Sequence, residues 1–113
     1  MQQVKVVVFK CGNIATSPIF ELLLDELADR QDIKVRTITT GSKMSAEDVE
    51  DALPKIFEFK PALLISISPN PSMPGPTKVR ESLSQSGVPS VIISDAPGKR
   101  VKAKLEEQGL GYI

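Results

Sequence analysis

The chain has 113 residues, enough for one domain that can bury about two thirds of its unfolded surface without a disulfide or metal staple. Fourteen basic and fourteen acidic residues cancel, so no global charge points to nucleic acid or an acidic membrane. There is no histidine and one cysteine, which excludes histidine acid–base chemistry, a Ser-His-Asp triad and an internal disulfide within this chain, and argues against a zinc site.

The single cysteine reads as a reducing, cytoplasmic context. No apolar run reaches the roughly 18 residues of a membrane helix, and the N-terminus enters a strand-like run directly, so no signal peptide is expected. Residues 4–9 are β-branched and nearly all apolar, as in a strand covered on both faces. Ser17 as cap and Pro18 at the first helical position predict a helix start. Ile19, Phe20, Leu23, Leu24 and Leu27 form its apolar stripe and are expected in the core, with Glu21, Asp25, Glu26 and Asp29 facing water.

Residues 33–38 alternate strictly and predict a half-exposed edge strand. Ser45, with Asp48 three residues on, opens a second helix whose buried stripe is Val49, Ala52, Leu53 and Ile56. Pro54 interrupts it, so a kink is expected near Ala52 or Leu53, and Pro61 ends the segment. Residues 63–67 predict a buried strand. Residues 77–86 predict a weak helix resting on Val79 and Leu83, broken at Gly87. Residues 91–93 predict a further buried strand, residues 99–108 a last helix closed by Gly109, and residues 110–113 the start of a fifth strand.

Strand and helix alternate, which means parallel βαβ units with right-handed crossovers. Uniformly apolar runs belong at the centre of a sheet and alternating ones at its edge. The expected architecture is therefore a three-layer, Rossmann-like or flavodoxin-like parallel sheet of order 2-1-3-4-5 with a short fifth strand. Its thinly covered end leaves an edge or face exposed, so a homo-oligomer is expected.

Three loops follow apolar runs in this frame: residues 10–13, 68–77 and 95–98. All three fall at carboxyl ends of adjacent strands, where such folds place ligands. The central one has proline at four of its ten positions, which stiffens it and prevents it from continuing the strand or the helix beside it. It is either a rigid connector or a ligand platform. The first loop has one glycine and lacks the G-x-G-x-x-G dinucleotide fingerprint. Thr16 and Ser17 with the free amides of the helix start are an anion site or plain caps. Cys11 is a packed or ligand-facing side chain, or a nucleophile that only Lys10 or a helix terminus could activate. Asp95 binds a ligand donor or caps the last helix. Lys99, Arg100 and Lys102 at the start of that helix, and Glu106 and Glu107 at its finish, oppose its dipole. The basic cluster is a solvated face or, with the turn before it, an anion site; in the second case Lys99→Glu with Arg100→Glu weakens binding and leaves folding intact.

Taken together, Lys10-Cys11-Gly12-Asn13, Thr16-Ser17, Asp25-Glu26, Ala28-Asp29-Arg30, Pro69-Asn70-Pro71, Pro74-Gly75-Pro76, Lys78, Arg80-Glu81, Asp95-Ala96-Pro97-Gly98 and the run from Glu106 to Ile113 resemble the coenzyme F420-dependent methylenetetrahydromethanopterin dehydrogenases of methanogens and related archaea. The resemblance covers essentially the whole chain. Ala15 and Ser94 stand where that family has glycine, and the family continues past Ile113 into a helical region that helps form its cleft and oligomer. The resemblance implies a single α/β coenzyme-binding domain over 1–113 in an oxidoreductase of archaeal one-carbon metabolism. Hydride passes there between the deazaflavin F420 and methenyl- or methylene-tetrahydromethanopterin by positioning, with no catalytic side chain and no metal. The implied partners are small molecules and further copies of the chain, not nucleic acid or membrane. The implied cofactor site comprises Cys11, Gly12, Asn13, Thr16, Ser17, Ser68, Pro69, Asn70, Pro71, Asp95, Ala96, Pro97 and Lys99. The deazaflavin ring lies near the first two loops, and its phosphodiester and polyglutamate tail runs toward the third. The alternative is a non-catalytic, short homologue that binds F420 or a small anion.

Overall fold

A computed structural model describes residues 3–14, 16–95 and 101–113. Strands β1 (Val4–Lys10), β2 (Ile33–Thr39), β3 (Leu63–Ser68), β4 (Ser90–Ser94) and β5 (Gly111–Tyr112) form one sheet. Its order is β2-β1-β3-β4-β5, parallel throughout. This is the order expected from the apolar and alternating character of the runs. The helices are α1 (Thr16–Asp25), α2 (Ala46–Glu58), α3 (Pro74–Gln85) and α4 (Lys102–Glu107).

The pleat sends β1 side chains to two separate cores. Val7, Phe9 and Leu64 pack with Val49, Leu53 and Ile56 of α2, Val79 and Leu83 of α3 and Leu105 of α4. Val8 and Ile67 face Phe20 and Leu24 of α1. Three helices thus cover one face and α1 the other. Fully burying each large side chain of the main core contributes about 1.5–3 kcal/mol, so this face holds most of the apolar stabilisation.

The start of α2 is as expected: Ser45 Oγ accepts from the Asp48 amide at 3.1 Å. The helix runs unbroken through Pro54. It ends at Glu58 before Lys60, which has a positive φ of 53°, and Pro61.

Three expectations are corrected. Ser17 is not the cap of α1, since the helix already includes Thr16, and the Ser17 hydroxyl has no hydrogen-bond partner among the described residues. The α1 stripe is only partly core: Phe20 and Leu24 pack on the sheet, whereas Ile19 and Leu23 are 62% and 57% exposed. Periodicity tells which residues share a helical face, not whether anything covers it. Finally, α3 begins at Pro74 rather than residue 77. The first helical turn needs no amide donors, so Pro74 and Pro76 fit there at no cost in hydrogen bonds.

Among the described residues no helix is long and apolar enough to cross a membrane.

Candidate functional site

Parallel pairing brings the chain out of β1, β2, β3 and β4 at the same end of the sheet. The first loop is pinned on both sides. The Cys11 amide donates to the Ile67 carbonyl at 2.9 Å, the Thr40 amide to the Lys10 carbonyl at 3.0 Å, and the Gly12 amide to Thr40 Oγ1 at 3.3 Å.

Gly12 has φ +82°, which itself favours glycine. A Cβ there would come within 2.5 Å of Met44 Sδ and 3.3 Å of Pro69 Cδ. A Cβ on Gly75 would run into the Met44 carbonyl oxygen and approach Cys11 Sγ at 3.2 Å. Met44, from the β2–α2 loop, is thus wedged between the first loop and the start of α3. The space beside Gly12 serves this packing.

Cys11 is wholly buried in the α2–α3 core. Burial pushes its thiol above the ordinary value, the Asp48 charge adds to this, and a hydrogen bond with Thr40 opposes it. Lys10 cannot activate it: its amine pairs with Glu21 of α1 at 3.0 Å, on the other side of the sheet. A buried thiol held neutral is a poor nucleophile, so Cys11 is a packing group.

The proline loop is organised around Asn70. Its Oδ1 accepts from the Ser72 amide at 2.9 Å and from Ser72 Oγ at 2.7 Å, and its carbonyl accepts from the Met73 amide at 3.3 Å. Pro71 lies fully buried beneath it. The Pro71 carbonyl accepts from Arg80 Nε at 3.0 Å. Asn13 is exposed, while Pro69 and Asn70 are half-buried. Ser68, itself buried, pairs in register with Ser94, which places exposed Asp95 alongside the proline loop. Ser94 Oγ and the Tyr112 hydroxyl lie 2.9 Å apart.

Ser17, at the first turn of α1, is only 2% exposed. An unsatisfied buried hydroxyl is costly, and a helix start offers free amides beside it.

Of the expected site residues, the structure brings Cys11, Gly12 and Pro69 together around Met44, with Pro71 buried in the proline loop, Asn13 exposed and Asn70 half-buried. Asp95 lies on the neighbouring strand end. Ala96, Pro97 and Lys99, together with Arg100 and the side chain of Thr16, lie outside the described residues. Among the described residues no group of three or more cysteine or carboxylate side chains could hold a metal. An open groove of about 410 Å³ lined by Leu24, Arg30, Ile33 and Arg36 lies between α1 and β2, away from these loops.

Sequence reasoning gave no site role to Thr40, Met44, Gly75 or Arg80, although Gly75 and Arg80 are among the residues that carry the resemblance. Arg80 left a signal: it falls on the same helical face as Pro76, Val79 and Leu83, where a cation has to be buried and bonded. Thr40 and Met44 left none, because their partners are 28 or more positions away in sequence.

A family model described as methylene-5,6,7,8-tetrahydromethanopterin dehydrogenase matches residues 4–113. The chain belongs to this family. Within it, a curated F420-dependent methylenetetrahydromethanopterin dehydrogenase of Methanocaldococcus jannaschii is 58% identical over 111 residues, covering 97% of this chain and 40% of the relative. Its counterpart from Methanobrevibacter smithii is 56% identical over 110 residues, with the same coverage. A solved dehydrogenase, in complex with methylene-tetrahydromethanopterin and coenzyme F420, superposes with a TM-score of 0.89 at 46% identity. The match covers 99% of this chain and 41% of that one. This member of the dehydrogenase family thus spans about 40% of the length of the curated relatives it matches.

Proposed function

We propose that this chain is the coenzyme-binding α/β domain, over 1–113, of an F420-dependent methylenetetrahydromethanopterin dehydrogenase. Its role is to hold the deazaflavin for hydride exchange with the one-carbon unit on tetrahydromethanopterin. The observation that carries the reading is the convergence of the first loop and the proline loop at one end of the sheet, in a chain 46% identical to a dehydrogenase solved with both molecules. A fully buried, free Cys11 agrees with a reducing cytoplasmic setting.

The residues present suit such a ligand. F420 supplies the hydride chemistry when bound, and no protein acid or base is needed for it. The chain's task is positioning. Met44 packs beside Gly12 and Gly75, with Pro69 and Cys11 next to it, and fixes the backbone of the first loop against the start of α3 and the proline loop. The exposed edges of Asn13 and Asn70 orient a polar ring against these loops. The orphaned Ser17 hydroxyl and the first amides of α1 supply donors for an anionic group. Asp95 and the basic stretch from Lys99 to Lys102 complete the proposed site toward the tail.

Calorimetric titration with F420 tests the reading. Binding is expected, and Ser17→Ala is expected to weaken it while leaving the free protein as stable or more so, since the orphan hydroxyl is removed. No heat of binding up to millimolar coenzyme defeats the proposal. An assay with both substrates then separates a hydride-transferring chain from a binding-only homologue.

A further inference from the structure

Arg80 is 4% exposed. Its guanidinium bonds the proline loop, the end of α4 and its own helix one turn back: Nε donates to the Pro71 carbonyl at 3.0 Å, Nη1 to Gln108 Oε1 at 3.1 Å, and Nη2 to Thr77 Oγ1 at 3.1 Å. No carboxylate forms an ion pair with it among the described residues. A buried cation with only neutral acceptors is an expensive arrangement. Burial accordingly lowers its pKa from the ordinary arginine value, and the Glu81 charge only partly opposes this. An apolar side chain of similar length would fill the same space on this face of α3 at less electrostatic cost.

The acceptors explain what the cation does. Prolines 69 and 71 flank Asn70, and neither has an amide to donate. The amides of Ser72 and Met73 and the Ser72 hydroxyl donate back to Asn70 itself and so shape the turn, while the Met73 carbonyl, which accepts from the Thr77 amide at 2.9 Å, joins only the end of the loop to α3. The Pro71 carbonyl is a point where the turn can be anchored, and a rigid planar fork can bond it while two other donors fix the fork. Thr77 supplies one fixing point from α3, and Gln108, at the end of α4, supplies the other.

We infer that Arg80 is a positioning residue of the coenzyme site: it locks the Pro69–Pro71 turn to α3 and to the end of α4, and thereby sets the orientation of Asn70. This inference rests on the functional reading above, in which Asn70 faces the coenzyme. Lysine keeps the charge but cannot hold three diverging acceptors in one geometry.

The test compares Arg80→Lys and Gln108→Ala with the wild type by amide hydrogen exchange and by titration with F420. The turn amides of Ser72 and Met73 are expected to exchange about tenfold faster in Arg80→Lys, while those of Val8 and Ile65 in the central strands keep their protection. Affinity for F420 is expected to fall about tenfold in Arg80→Lys, and less in Gln108→Ala, with folding retained in both. Turn amides that exchange as in the wild type overturn the inference. So does a loosened turn with unchanged affinity, which would leave Arg80 a purely structural residue. If the wild type itself does not bind F420, the functional reading fails, and the positioning role at the coenzyme site falls with it. The exchange data still report separately whether the turn is locked.

Discussion

Two glycines at the loop cluster do different work, and substitution separates them. Gly75 carries no positive φ, and its constraint is the Met44 backbone carbonyl. Gly12 has φ +82°, with the Met44 thioether as its nearest neighbour. Overpacking of this kind costs about 1–3 kcal/mol, or roughly 4–8 °C in Tm per kcal/mol for a domain near this size. We expect Gly75→Ala to lower Tm by several degrees and Met44→Ala not to restore it, because the obstacle is backbone. In Gly12→Ala, Met44→Ala should recover the steric part of the loss and leave the φ strain. Thermal melts of the four variants decide this, and rescue of Gly75→Ala would contradict it.

Cys11 gives a pH prediction. Its burial raises the folded thiol pKa above the unfolded value near 9.0. Its contribution to stability is therefore complete below that value and is lost as pH rises through the folded one. The Tm advantage of the wild type over Cys11→Ala should hold below the unfolded value and narrow as pH rises past 9.0. A constant gap through that rise would argue against a buried neutral thiol.

At the scale of elements, α1 stands apart from the other helices. α2, α3 and α4 close one core with the sheet, and among the described residues α1 is the helix that covers the other face. It turns Ile19, Leu22 and Leu23 outward at 57–66% exposure, positions that share one helical face. Contiguous apolar surface of this kind marks an association site. We expect the purified chain to self-associate through α1, and Leu22→Ser with Leu23→Ser to yield monomers that remain folded. Light scattering at tens of micromolar measures both, and a monomeric wild type would contradict the expectation. The same helix shows where periodicity stops being informative: Leu23 and Leu24 both belong to the apolar stripe, yet only Leu24 meets the sheet. In α3 the failure was of another kind. Four prolines within ten residues read as a stretch that no helix could enter, but two of them occupy the first turn of α3, where a missing amide costs nothing.

At the scale of the whole molecule, strand order was legible because it follows from local sequence character. Residues 4–9 and 63–67 are apolar on both faces and occupy the centre; residues 33–38 alternate and occupy the edge. The cap at Ser45, the break at Pro61 and the positive φ at Gly109 were legible for the same reason, since backbone sterics and capping act within a few residues. The general location of the candidate site was also determined by sequence, because parallel pairing puts every strand's carboxyl end on one side. Tertiary structure alone decided what each residue does there. Met44 reaches Gly12 and Gly75 from a different loop, Thr40 binds Gly12 across 28 positions, and Arg80 joins Pro71 to Gln108. Side chains far apart in sequence make these contacts, and their geometry exists only once the sheet has brought the strand ends side by side.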